Sequence, residues 1–154
     1  IREFCIHKVV ILRIQNSRIF LSSNMNILNN GLCKAERLNS KSTIEKLFSG
    51  NSKSFSAYPL RIVFMPLEKK ENALASIMIS VPKKRFKRAV KRNKVKRQIR
   101  EGYRKNKQEL LNVLNEKEHG LAIAFIYLSN EILATNLIED AIKQILERLK
   151  EKLQ

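Results

Sequence analysis

A chain of 154 residues with 31 Lys and Arg against 14 Asp and Glu carries a formal net charge of +17, and 44% of it is hydrophobic. That is enough apolar content for one domain with a core, and four Gly with three Pro are too few for a low-complexity chain. No run of eighteen uncharged apolar residues marks a membrane span. Cys5 and Cys33 form no CxxC and no disulfide framework, which fits a reducing compartment. His7 and His119 are the only histidines, too few for a zinc site of ordinary composition.

The first 24 residues, IREFCIHKVVILRIQNSRIFLSSN, open on Ile, and His7, Lys8 and Arg13 break their apolar stretch. A secretory signal needs an uninterrupted apolar region and a small-residue cleavage site. The expectation is a poorly ordered upstream extension over 1–24, with Met25 as the native start and 25–154 as one α+β domain. Peptides mapping to Arg2–Arg13 in protein from the native source would refute that start.

Ser42-Thr43-Ile44-Glu45 reads as a capping box, Ile44, Leu47 and Phe48 as the apolar face of a short helix, and Gly50 as its stop. Residues 60–67 predict a strand ended by Pro66, with Leu60, Ile62 and Phe64 on one face. After the polar turn 68–72, Ala75, Ile77, Ile79 and Val81 predict a second strand, and the short connection suggests a hairpin. From Arg88 to Leu114, Val95, Ile99, Tyr103, Leu110, Val113 and Leu114 form one helical stripe, predicting a single helix of roughly 40 Å. Asn93, Arg97, Arg100 and Arg104 share a separate face. Residues 120–129 are almost wholly apolar, as in a strand covered on both sides, so Phe125 and Tyr127 read as core. Asn136 with Glu139 predicts the start of a last helix burying Leu137, Ala141, Ile142, Ile145, Leu149 and Leu153. The predicted order is α-β-β-α-β-α, a single α+β domain with a small central sheet.

The charge is concentrated. Between Lys83 and Lys107 stand fourteen bases and one acid, Glu101, leaving 17 bases and 13 acids elsewhere. Like charges at that density repel one another, a cost that a polyanion would offset. A helix that buries Val95, Ile99 and Tyr103 would hold its outward arginines as a rigid row. Arginine pairs bidentately with phosphate, and each phosphate contact steepens the salt dependence of binding. Asn93 is either a contact to a sugar hydroxyl or base edge, or a surface residue without a role. Charge alone does not separate RNA from DNA.

Residues 89–104, AVKRNKVKRQIREGYR, resemble the arginine-rich signature helix of the bacterial ribonuclease P protein subunit. The family pattern falls on Arg92, Asn93, Lys94, Val95, Lys96, Arg97, Gln98, Ile99 and Arg100. Lys94 stands in place of an arginine, which keeps charge but loses the planar fork. Ile79-Ser80-Val81-Pro82-Lys83-Lys84 is similar to the strand and lysine pair that precede that helix, although Met78 stands where the family often has glycine. The resemblance spans about residues 34–154 and leaves 1–24 without a counterpart.

The resemblance implies a ribonuclease P protein-like fold with a left-handed βαβ crossover, as in the second domain of a small-subunit ribosomal protein. It implies the protein subunit of a cytoplasmic ribozyme that removes the 5′ leader from precursor tRNA. Chemistry would lie in the RNA subunit, with Mg2+ held mainly by RNA, so no residue of this chain is assigned a catalytic or metal-binding role. The implied RNA contacts are Lys83, Lys84, Arg92, Asn93, Lys94, Lys96, Arg97, Arg100 and Arg104. The implied leader cleft, between the first helix and the sheet, holds Ile44, Phe48 and Phe64. Ile44 cannot stack on a base, which shifts the grip to Phe48 and Phe64, and ordinary core packing is the competing reading of both phenylalanines. The implied partners are ribonuclease P RNA and precursor tRNA, with no membrane and no obligate protein partner. The competing classes are a general nucleic-acid binder and a protein-only nuclease. The latter needs clustered carboxylates, which the sequence does not supply.

Overall fold

A computed structural model describes residues 31–50, 52–68 and 73–153, so the expectations for 1–24 lie outside the described residues. In chain order these form α1 (Lys41–Phe48), β1 (Lys53–Ala57), β2 (Leu60–Glu68), β3 (Ala75–Ser80), α2 (Ala89–Asn106), α3 (Gln108–Asn115), β4 (His119–Tyr127) and α4 (Thr135–Leu153). The α+β class and the central sheet are as expected. The order differs, because β1 is added and the long helix is divided.

The four strands lie in the order β1-β2-β4-β3. β2 pairs antiparallel with β1 through the Tyr58–Pro59 turn, and antiparallel with β4. β3 pairs parallel with β4. The hairpin expected between β2 and β3 is therefore corrected, since β4 lies between them. A strand as apolar as Leu121–Tyr127 can bury both faces only at the centre of a sheet. Short, polar KSFSA made β1 inconspicuous, and such a strand suits an edge. β2 continues through Pro66, past Phe64, the last residue that β1 reaches, where a missing N–H costs least.

Alternation along the strands builds two cores. Leu60, Ile62, Phe64, Ala75, Ile77, Leu121, Ile123, Phe125 and Tyr127 meet α2, α3 and α4 on one face. Val63, Ala122 and Ala124, with Met65, Leu67, Met78 and Ile126, meet Ile44 and Leu47 of α1 on the other. On the first face Gly102 lets α2 approach α4, since a Cβ there would stand 2.6 Å from Ile142 Cδ1.

Three helix boundaries differ from expectation. Ser40, not Ser42, caps α1: its hydroxyl accepts from the Thr43 N–H at 3.4 Å, while Ser42 Oγ is bonded to Ser40 Oγ. No Glu stands three residues after Ser40, so there is no capping box. Gly50, at φ 104, leaves the helix as its sequence suggests. The predicted single helix divides at Lys107, where Asn106 Nδ2 donates back to the Gly102 carbonyl at 2.7 Å. The break brings Leu110, Leu111 and Leu114 onto the sheet. In α4, Asn136 lies inside the helix with its Oδ1 accepting from the Leu137 N–H. Ile138 takes the buried position expected of Leu137, which is 52% exposed.

Candidate nucleic-acid interface

α2 crosses between parallel β3 and β4 with one stripe of its surface sealed. Val95, Ile99 and Tyr103 are fully buried, and Tyr103 meets Phe125 edge-on. The opposite side therefore cannot roll inward, and it presents Asn93, Lys94, Arg97 and Arg100 to solvent, with Lys96 half-buried. Gln98 fixes the helix sideways, its Nε2 donating to the Leu133 carbonyl at 3.2 Å and to Thr135 Oγ1 at 3.0 Å. Lys83 and Lys84 are exposed in the turn that leads into α2.

The fourteen bases of 83–107 do not form one uniform patch. The last three are paired with carboxylates. Arg104 grips Glu101 through Nε at 2.9 Å and Nη2 at 2.6 Å, Lys105 meets Glu139 at 2.7 Å, and Lys107 is buried against Glu36 at 2.6 Å. The guanidinium of Arg104 holds the Glu101 carboxyl below its ordinary range, chiefly through that hydrogen bond. The eleven bases from Lys83 to Arg100 have no ion-pair partner among the described residues. The uncompensated field thus belongs to the loop and the first three turns of α2, whereas the charge of Arg104 is already engaged by Glu101. Arg92 also has a second duty. Its Nη1 donates to the Phe86 and Lys87 carbonyls at 2.8 and 2.7 Å, which fixes the entry into a helix that has no side-chain cap.

The three residues expected in the leader cleft, Ile44, Phe48 and Phe64, do not line a common hollow. α1 and the far end of β2 enclose an open hollow of about 690 Å³ lined by Thr43, Lys46, Met65, Leu67, Glu68 and His119, among others. Phe48, at the end of α1, is 48% exposed, and Ile44 is half-buried against the sheet. Phe64 is a correction. It is 4% exposed and points to the opposite face, where it packs edge-on to Phe55. One residue along a strand reverses the face, so Val63 and Met65, not Phe64, face α1. His119 is the first residue of β4 and lines this hollow.

A second open hollow, of about 480 Å³, is lined by Leu32, Arg37, Arg97, Arg100, Glu101 and Arg104. Sequence reasoning missed Arg37, because it lies in an irregular segment where no period marks it. Among the described residues no three His, Cys, Asp or Glu side chains stand together as metal ligands. No described helix is long and apolar enough to cross a membrane.

The Ribonuclease P family model matches residues 32–152. The chain belongs to the bacterial ribonuclease P protein family. It is 44% identical over 119 residues to the ribonuclease P protein component of Porphyromonas gingivalis, covering 77% of this chain and 86% of that one. Against the Chlorobaculum tepidum ribonuclease P protein component it is 32% identical over 104 residues, 64% of this chain and 68% of the other. The fold is similar to that of the RNase P protein from Thermotoga maritima, with a TM-score of 0.57 at 24% identity, covering 73% of this chain and 96% of that one. A Staphylococcus aureus RNase P protein gives 0.55 at 24% identity over 76% and 97% of the two chains. Ribonuclease P is an RNA-based endoribonuclease, and RNA binding with tRNA 5′-end processing follows from membership in its protein family.

Proposed function

We propose that the outward face of α2, from Asn93 to Arg100, with Lys83, Lys84 and the free edge of Arg92, docks onto the catalytic RNA of ribonuclease P. The hollow beside α1 takes the single-stranded 5′ leader of precursor tRNA. Met65 lines that hollow with apolar surface and Lys46 with a charge for the leader backbone. Phe48, outside the hollow at the end of the same helix, offers an exposed ring for stacking, and Ile44 packs beneath α1. Bond cleavage is left to the RNA, with magnesium held mainly by that RNA, and the holoenzyme works in the cytoplasm without an obligate second protein.

One observation carries this reading. α2 is sealed at Val95, Ile99 and Tyr103 while eleven uncompensated cations gather on and just before its exposed side. A rigid row of that kind places guanidinium forks without further ordering cost, the condition for tight phosphate contact. The test is precursor-tRNA cleavage by the cognate RNA at low magnesium, with and without the protein. Marked acceleration is expected, and no acceleration would overturn the proposal.

A further inference from the structure

We infer that Arg37, outside the basic run and 60 residues or more from its arginine partners in sequence, is a further phosphate contact for the docked RNA. With it, the RNA surface becomes composite, built from the segment before α1 as well as from α2. The inference rests on α2 being the RNA-docking face.

Arg37 is exposed and shares the open hollow with Arg97, Arg100 and Arg104. Glu101 is the single carboxylate there, and it is engaged by Arg104. Bringing Arg37 into this group works against Coulomb repulsion, yet the segment carrying it is firmly held. The Leu38 N–H donates to the Ile77 carbonyl at 2.8 Å, and the Ile77 N–H donates to the Glu36 carbonyl at 2.7 Å. These two bonds flank Arg37 and attach it to the free edge of β3. The Glu36 side chain adds a second anchor. One carboxylate oxygen accepts from Lys107 Nζ at 2.6 Å and the other from the Cys33 N–H at 2.9 Å. Lys107 Nζ also donates to the Gly31 carbonyl at 2.6 Å.

Lys107, the last cation of the basic run, thus spends its charge inside the fold. What it fixes is the placement of a different cation at the surface. Leu38 locks the following position, buried at 5% exposure. A guanidinium whose backbone is held on both sides and which lines one open hollow with Arg97 and Arg100 matches a phosphodiester, whose oxygens can accept from several forks at once. The hollow is continuous with the exposed side of α2 through Arg97 and Arg100, so one RNA strand can meet both.

The full chain is titrated against its own ribonuclease P RNA over a range of salt concentrations, with Arg37→Gln, Arg37→Lys and the double variant Arg97→Ala/Arg100→Ala beside the parent. Arg37→Gln is expected to weaken binding about tenfold, as for one lost charged hydrogen bond. It should reduce the log–log salt slope by about 0.7 to 0.9. Arg37→Lys should retain the parent slope. Melting curves should coincide, because backbone bonds at positions 36, 38 and 77 hold the segment. If the double variant loses affinity while Arg37→Gln binds with the parent's slope and strength, the inference is overturned and the reading of α2 stands. If the double variant also binds like the parent, the reading of α2 fails and the inference fails with it.

Discussion

The two faces of the sheet are built from the same strands and solve different problems. The face under α2, α3 and α4 carries large side chains, Phe64, Phe125, Tyr127, Ile62 and Ile123, all 4% exposed or less. The face under α1 carries Ala122 and Ala124 at its centre and half-exposed Met65, Leu67 and Met78 at its margin. One eight-residue helix cannot cover nine-residue strands, and a hollow remains beside it. The closed face stabilises the domain and stiffens the cationic side of α2, whereas the open face leaves apolar surface partly uncovered at Met65 and Leu67. Opposite sides of the same strands thus differ residue by residue, one closed over large side chains and the other only partly covered.

The sharpest way to break that division is a pair of phenylalanines. Phe64→Ala should cost about 3 to 5 kcal/mol in urea unfolding, as expected for a buried aromatic. Phe48→Ala should cost less than about 1 kcal/mol yet weaken binding of a leader-bearing precursor tRNA by about 1 to 3 kcal/mol relative to a leaderless one. Similar stability losses in both would end the contrast between the faces.

The anchor at the edge of the closed face comes next. Lys107→Met leaves the Glu36 carboxylate buried without its partner and should destabilise by about 3 to 5 kcal/mol. Glu36→Gln combined with Lys107→Met should restore a substantial part of that loss. An additive double mutant would show that the pair is not coupled.

Outside both cores, Arg97→Ala with Arg100→Ala should lower the salt slope for the catalytic RNA by about 2, roughly 1 for each residue. It should leave thermal stability unchanged, since neither has an ion-pair partner among the described residues. Ser40→Ala removes the cap of α1 and should cost about 0.5 to 2 kcal/mol. The 3.4 Å bond points to the low end.

The smallest expected effect has the opposite sign. The Tyr103 hydroxyl is buried without a hydrogen-bond partner among the described residues, so Tyr103→Phe should be neutral or stabilising by up to about 1 kcal/mol. Burial, reinforced by the Glu36 charge, pushes the Tyr103 phenol upward. Unfolding therefore releases its proton at alkaline pH. Parent stability should be intact below about pH 10 and fall above it, and Tyr103→Phe should fall less steeply. Identical alkaline profiles would contradict this assignment.

Local pattern made several features legible in advance. Val95, Ile99 and Tyr103 follow the helical period, so the buried side of α2 and its outward Arg97 and Arg100 could be read directly from spacing. The unbroken apolar run of β4 required a central strand. The resemblance in residues 89–104 pointed to the family that the comparisons show. Other features left no periodic trace. The division at Lys107 keeps residues on both sides helical, so a continuous stripe ran through it. β1 is too short and polar to announce itself, and Phe64 alternates correctly along its strand whichever face α1 occupies.

Sequence by itself determined which residues had to hide from water and which could not, because burial of apolar side chains follows the short periods of helix and strand. It also determined that the positive charge would gather along one stretch of chain. Tertiary structure alone decided how that charge is spent: Arg104, Lys105 and Lys107 are quenched by Glu101, Glu139 and Glu36, while Arg37 is brought beside Arg97 and Arg100. Three of these meetings join residues 34 or more positions apart. Coulomb attraction and repulsion depend on distance in space, which only the pairing of strands and the packing of helices establish.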